Sequence, residues 1–397
     1  MRNTVKLKKA AEYYTDRIDI SEISIENFVT TDNLLQNKDG VGIAANLPPQ
    51  NGTTPAFKKN NILVSNIRPY LKKIWYADTD GGCSADVLVI NTKTGYDSKF
   101  VYYSLFRDDF FAHMMNGAKG TKMPRGDKSQ VLDFLIPDFD LSTQQKIASV
   151  LSSLDSKIAL NKSINAELEA MSKTLYDYWF VQFDFPDPST SSGRAGKPYK
   201  SSGGKMVWNE ELNREVPEGW EVKKLSEIAN ITTGKLDSNA EVLGGKYYFY
   251  TCAENPTRTD SFAFDDSVIL VAGNNASGNF HINRYSGKFN AYQRTYVITA
   301  KEENNLDYLY QVLERQLKVL KTRGQGSQTK FLTINMLTDI SIFKTDISTI
   351  EQFHMIVNPL YLMQQNVLNE NQQLSSLRDW LLPMLMNGQV RVGDKIL

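Results

Sequence analysis

Cysteine and histidine are scarce in this chain: Cys83 and Cys252 stand far apart, and only His113, His281 and His354 are scattered among its 397 residues. Without a C-x-x-C pair or a second thiol nearby, thiolate metal sites and a disulfide framework are excluded, which fits a reducing cytoplasm. Long apolar runs are missing too. No segment reaches the length of a membrane span, and the opening MRNTVKLKKA leads into no apolar stretch of the secretory type. The expectation is a cytoplasmic chain. An excess of charge is also lacking, since 45 basic residues balance 45 acidic ones. A nucleic-acid partner would therefore have to be met by local patches rather than by an overall positive field.

Catalytic signatures fail in turn. Gly203, Gly204 and Lys205 are followed by Met206, so no phosphate loop of the G-x-x-x-x-G-K-[ST] type is present. Asn46 is followed by Leu47 before Pro48 and Pro49, which breaks the NPP[FY] pattern of amino-methyltransferases. No G-x-S-x-G elbow or H-E-x-x-H helix occurs. Pro137, Asp138, Asp155 and Lys157 fit a loose nuclease pattern of PD followed by D-x-K, whose carboxylates would hold a metal. Asp155 and Lys157, however, fall inside a helical stretch, where positions i and i+2 face different ways.

What is present is a long repeat, in a chain long enough for several cores. Slid by 206 residues, LSTQQKIASVLSSLDSKI (141–158) lies over ISTIEQFHMIVNPLYLMQ (347–364), so that Ile147 meets Phe353, Leu151 meets Val357 and Leu154 meets Leu360. Leu168, Met171 and Leu175 then meet Leu374, Leu377 and Leu381. Upstream, FVYYSLF (100–106) lies over LDYLYQV, and NILVSNIR lies near SVILVAGNN with one residue of slippage. Half a chain is too long for a solenoid unit, so each half should be a domain followed by a helix.

Residues 142–180 and 348–386 carry apolar residues at steps of four and three, the signature of a heptad seam. Ile147, Leu151, Leu154, Ile158, Leu168 and Leu175 form one side, and Phe353, Val357, Leu360, Leu374 and Leu381 form the other. About 27 helical residues already span roughly 40 Å, which only another long helix can cover, so the two should pair as a coiled coil. Ser142 or Thr143 and Ser348 or Thr349 are the expected caps, and Pro359 is expected to split the second segment into a short helix and a long one. Asn161, Asn165, Gln364 and Asn371 fall on the seam, where they either restrict register or sit exposed beside it.

The rest mixes strands such as NILVSNI (61–67), DVLVINT (86–92), SVILVAG (267–273) and RTYVITA (294–300) with a single helix per half, near 98–116 and 305–322. The reading is α+β: two similar α/β domains at 1–140 and 218–345, long helices at 141–182 and 346–397, and a Gly-, Ser- and Pro-rich linker at 183–217.

Basic residues recur at equivalent places. Residues 117–130 carry Lys119, Lys122, Arg125 and Lys128 against the single acid Asp127, and residues 318–330 carry Lys318, Lys321, Arg323 and Lys330 against none. Both stretches are Gly-rich, so backbone can approach a phosphate closely. Arg68, Lys72 and Lys73 in the first half, and Asn274, Asn275, Asn279, Arg284 and Arg294 in the second, are further polar candidates near strand ends. Such side chains suit base edges and phosphates.

ILVSNIRPYLKK (62–73), STQQKIASVLSSLDSKIALNKSINAELEAM (142–171), YDYWFVQFDFPD (176–187) and VPEGWEVKKLSEIA (216–229) together resemble the specificity subunits of type I restriction-modification systems. The resemblance implies two target-recognition domains, each reading half of a split DNA sequence, and two antiparallel spacer helices. It also implies two methyltransferase subunits that bring S-adenosylmethionine, restriction subunits that use ATP and Mg, and no catalysis by this chain. The loops ending in Thr121-Lys122 and Thr329-Lys330 resemble the family's DNA-contacting loops in position, the second being richer in Gln through Gln325 and Gln328. The rival readings are an enzyme with its own cofactor pocket and a coiled-coil adaptor that binds only protein.

Overall fold

A computed structural model of the chain describes residues 3–48, 51–118, 120, 122–188, 195–275, 280–302, 305–323 and 330–393. It divides into two units: Met1–Lys162 together with Leu368–Leu397, and Ser163–Val367. These bounds differ from the sequence division, because each long helix contributes one part to each unit.

In the first unit, Ile62–Ser65 pairs antiparallel with Val87–Thr92, as Ile62 opposite Ile90 and Val64 opposite Leu88. The alternation of side chains along a strand then decides what each face buries. Ile62, Val64, Leu88 and Ile90 face Phe100, Val101, Phe110 and Met114, together with Ile147 and Leu151 of the first long helix and Leu382 and Leu385 of the second. Leu63, Val87 and Val89 face the other way, onto Phe57, Val29 and Leu34. The expected single helix is broken, into Ser98–Leu105 and Asp108–Asn116.

The second unit repeats the plan on a larger sheet. Phe264–Ala272 lies between Thr295–Ala300 and Ile282–Ala291, with Ile269 opposite Ile298. Ile269, Val271 and Ile298 bury in one core with Leu309, Val312 and Leu313 of the helix Leu306–Arg323, with Tyr176, Phe353 and Val357 of the long helices, and with Phe180 just beyond the first of them. Val268, Leu270 and Val297 turn to the opposite face, beside Tyr250 and Phe289.

The long helices run Leu141–Tyr176 and Ile347–Met386. Their caps are neither Ser nor Thr. Asp140 accepts from the Thr143 N–H at 2.9 Å and Asp346 from the Thr349 N–H at 2.9 Å, with each threonine hydroxyl donating to the other carboxylate oxygen. Nor does Pro359 split the second helix, which is assigned as helical without a break. Pro359 and Met355, one turn earlier, are both exposed, so the carbonyl that loses its partner to the proline ring lies on the solvent face. Within the first unit the helices are antiparallel: Asp155 pairs with Arg378, and Asn161 with Glu370.

Most of the expected seam residues are at least partly buried, Ile147 and Leu151 within the core of the first unit and Phe353 and Val357 within that of the second. Ile147, Leu151, Ile158, Leu168, Phe353 and Val357 are buried, and Leu154, Leu175, Leu360, Leu374 and Leu381 are half-buried. Met171 and Leu377 are exposed instead. Residues 183–217 are not a bare connector. Phe183 and Phe185 are buried with Trp220 and Phe343, and Met206–Asn209 pairs antiparallel with Arg214–Pro217. The Gly, Ser and Pro content of that stretch hid the few aromatics that fasten it to the second unit.

Candidate nucleic-acid interface

In the first unit the central strand Ile62–Ser65 runs out into a turn that holds Arg68, Pro69–Leu71 and Lys72. Arg68 and Lys72 both take left-handed backbone, at φ 50 and 50, a conformation that non-glycine residues adopt only where the surroundings enforce it. At Arg68 the Gly-rich basic loop supplies that enforcement, and at Lys72 the Lys38 N–H, which donates to its carbonyl at 2.8 Å. The Arg68 N–H donates to the Pro124 carbonyl at 2.8 Å, the Gly126 N–H donates to the Asn66 carbonyl at 3.1 Å, and Ile67 pairs with Arg125. Glycine keeps the contact close at 126, since a Cβ there would lie 2.9 Å from Asn66 Oδ1 and 3.1 Å from Met114 Cε and those side chains would have to move. Two candidate groups 50 residues apart in sequence thus become one surface, with Arg68, Lys122, Arg125 and Lys128 exposed.

The second unit makes the same construction. Phe264–Ala272 runs out through Gly273 into Asn274–Asn275, which pairs antiparallel with Lys330–Phe331. Ile67 and Asn274 are 207 residues apart, and Arg125 and Phe331 are 206 apart, so the bridge of the first unit recurs at the repeat offset. Gly273 is required here, since a Cβ would lie 2.4 Å from the Arg294 carbonyl oxygen. Arg294 is exposed, and its guanidinium lies 6.0 Å from the centroid of the exposed Phe331 ring.

Some candidates are not part of these surfaces. Lys73 is buried, and its ammonium donates to the Thr31 carbonyl; burial also lowers its pKa, against the opposing pull of Asp32. Arg284 points into the second unit, where it pairs with Asp307, donates to Asn358 Oδ1 at 3.2 Å and stacks on Tyr361 at 3.8 Å. Both are structural cations, a correction to their expected role. Arg125 and Lys72 remain accessible but carry acid partners, Asp86 at 3.0 Å and Asp108 at 2.9 Å. Lys119, Thr121, Asn279, Gln325, Gln328 and Thr329 lie outside the described residues. Asn275, Arg323 and Lys330 are placed by their backbone alone.

Exposed Tyr70 in the first turn and Phe331 in the second pair were not anticipated from sequence. An aromatic residue beside a basic run, at a strand end, is the signal that would have found them.

The nuclease pattern does not assemble. Asp155 is taken by Tyr103 and Arg378, and Lys157 by Glu370 at 3.4 Å, while Asp138 lies ahead of the helix start. At 1.5 Å per residue, Asp155 is roughly 20 Å along the helix from Asp138. Among the described residues, no three His, Cys, Asp or Glu side chains converge as metal ligands, and no helix is long and apolar enough to cross a membrane.

Comparisons with known proteins agree with this duplicated layout. HindI specificity subunit of Haemophilus influenzae is 24% identical over 459 aligned positions, covering 94% of this chain and 96% of that one. MjaIX specificity subunit of Methanocaldococcus jannaschii is 27% identical over 325 residues, 76% of this chain and 71% of that one. EcoDI specificity subunit of Escherichia coli is 42% identical over 127 residues, which span 32% of this chain and only 28% of that relative. The crystal structure of a type I restriction-modification S subunit from M. genitalium shares the fold, at TM-score 0.59 and 18% identity over 97% of this chain and 96% of that one. The family profile described as type I restriction modification DNA specificity domain matches residues 6–170 and again 217–343, one copy for each recognition domain. With two such domains across most of its length, the chain belongs to the specificity subunits of type I restriction-modification systems.

Proposed function

We propose that each DNA-specificity domain reads one half of a bipartite duplex target, and that the long helices set the unread spacer and receive two methyltransferase subunits. The observation that carries this reading is the duplicated pairing of Ile67 with Arg125 and of Asn274 with Phe331, which twice sets a basic, Gly-rich segment against the end of a central strand. Arg68, Lys72, Lys122, Arg125 and Lys128 make the first contact surface, and Asn274 and Arg294 belong to the second. Lys119, Asn275, Arg323, Gln325, Gln328 and Lys330 are proposed as DNA contacts from the sequence alone. Lysines position the phosphates, while Arg, Asn and Gln read base edges.

Docking is supported by apolar side chains left exposed on the long helices: Leu160, Leu368 and Trp380 in the first unit, and Met355, Leu362 and Met363 in the second. Such groups in number mark a surface that a partner covers. The chain supplies no reaction chemistry in this reading. S-adenosylmethionine is held by the methyltransferase subunits, and ATP and Mg by the restriction subunits that join them in the cytoplasm.

The test is co-expression with a methyltransferase partner on random-sequence DNA, with modified adenines located by sequencing. A bipartite motif with a fixed gap, lost when this chain is left out, is the expected result. A single uninterrupted motif, or modification without the chain, refutes the two-reader scheme and favours the protein-only adaptor.

A further inference from the structure

The geometry points to Asp108 as a resident substitute for a DNA phosphate in the first unit, and to Lys38 as a DNA-contact residue that the sequence did not single out. The inference rests on the reading of the Arg68–Lys72 turn as a DNA-facing surface.

Three separate elements converge there. The Lys38 ammonium lies 2.9 Å from one Asp108 oxygen and the Lys72 ammonium 2.9 Å from the other. The Lys38 N–H donates to the Lys72 carbonyl at 2.8 Å, so the two lysines are joined through backbone as well. Both sit in left-handed conformations, Lys38 at φ 67 and Lys72 at φ 50, and Asn37 and Arg68 beside them do the same. The backbone is thus shaped to bring two like charges together, an arrangement that needs an anion between them. Asp108 provides it with one negative charge shared over two oxygens. A phosphodiester carries the same charge on two free oxygens.

Displacement of the carboxylate is feasible because its own side chain is 64% exposed, while Lys38, 15% exposed and 4.8 Å over the Phe106 ring, is held in place by the fold. A second pair of the same kind stands beside the same turn: Arg125 lies 3.0 Å from Asp86, and the Asp86 carbonyl accepts from the Asn66 N–H at 2.8 Å. The first unit's interface therefore holds its cations against its own acids until a duplex replaces them. The predicted effect is a lowered affinity for DNA of any sequence, which fits a reader that must leave non-target duplex quickly.

The experiment measures binding of a non-target duplex by the full-length chain across a salt series. Asp108→Asn should raise affinity about five- to tenfold at low salt with little change in the slope of log K against log salt, because the same phosphates are neutralised once the carboxylate is displaced. Lys38→Ala should lower affinity and flatten that slope by about one unit. Asp133→Asn is the matched control, because Asp133 also holds two lysines, Lys6 at 3.2 Å and Lys8 at 2.9 Å, but beside the strand pair Thr4–Lys6 and Leu135–Pro137. If Asp108→Asn behaves like Asp133→Asn, or if Lys38→Ala binds as the parent does, Asp108 is no phosphate substitute. If Arg68→Ala and Lys72→Ala also leave binding unchanged, the turn itself does not meet DNA, and the site reading falls with the inference.

Discussion

Asp155 and Arg378, on opposite long helices of the first unit, form an ion pair at 2.8 Å, and the second Asp155 oxygen accepts from the Tyr103 hydroxyl at 2.6 Å. One carboxylate thereby ties both helices to the recognition-domain helix Ser98–Leu105. Arg378 also lies over the Phe106 ring at 4.7 Å. Replacing Arg378 by Ala leaves a partly buried carboxylate with one partner and should destabilise the first unit by about 2 kcal/mol. Urea unfolding of Arg378→Ala, Tyr103→Phe and the double variant checks this. Additive losses would mean that the three groups do not act as one joint.

The second unit has a different fastening. Asp307, fully buried, holds both Arg284 and His354, the latter at 2.6 Å. Truncating Arg284 to Ala would leave that buried carboxylate with His354 as its remaining partner and should cost about 3 kcal/mol. Arg284→Ala should lower thermal stability while leaving the salt dependence of duplex binding by the folded protein unchanged. A flattened salt slope with intact stability would restore Arg284 to the DNA surface.

Asn161 is buried between the helices, with Nδ2 donating to Glu370 at 2.7 Å and Oδ1 finding no hydrogen-bond partner among the described residues. Asn371, across from it, donates to the Ile158 carbonyl at 3.4 Å. Asn161→Leu should stabilise the helix pair by about 1 kcal/mol and weaken its preference for one register, as buried amides do in coiled coils. Melting temperature and cysteine cross-links placed one heptad out of register measure the two effects. A lower melting temperature with no off-register cross-link would contradict both.

The two thiols offer a probe for each unit. Burial pushes the Cys83 thiol up to about 12 from 9.0, while Cys252 is only half-buried. A raised thiol pKa means less thiolate near pH 8, so Cys83 should react more slowly than an ordinary cysteine. Alkylation followed by mass spectrometry should label Cys252 in the native chain and Cys83 only on unfolding. Equal rates at both positions would show that the first unit opens readily.

Gly273 tests the construction of the second surface. A methyl group there meets the Arg294 carbonyl oxygen at 2.4 Å, a backbone atom that cannot swing aside. Gly273→Ala should cost about 1–3 kcal/mol and weaken duplex binding by the second unit. Unchanged binding would separate the Asn274–Phe331 pairing from DNA recognition.

Much of this was readable before folding. The heptad spacing located both helices, and the offset of 206 residues put the two basic segments at equivalent places, where the structure pairs Ile67 with Arg125 and Asn274 with Phe331. The fate of individual cations was not readable, because it depends on partners remote in sequence. Lys73 is absorbed by Thr31, and Arg284 by Asp307 and Asn358. Composition misled at 183–217, where Phe183 and Phe185 outweigh the glycines around them. Capping misled by position: Thr143 and Thr349 do take part, but as donors to Asp140 and Asp346.

The division of the long helices has a consequence for biosynthesis. The second unit is one contiguous stretch, Ser163–Val367, whereas the first is completed only by Leu368–Leu397. Ile147 and Leu151 therefore leave the ribosome more than two hundred residues ahead of Leu382 and Leu385, which close the core around them. The half made first is the half finished last, and during translation its apolar face stays open while the second unit folds. A premature stop shortly after Val367 would release a chain with the second unit complete and the first lacking Leu382 and Leu385 from its core.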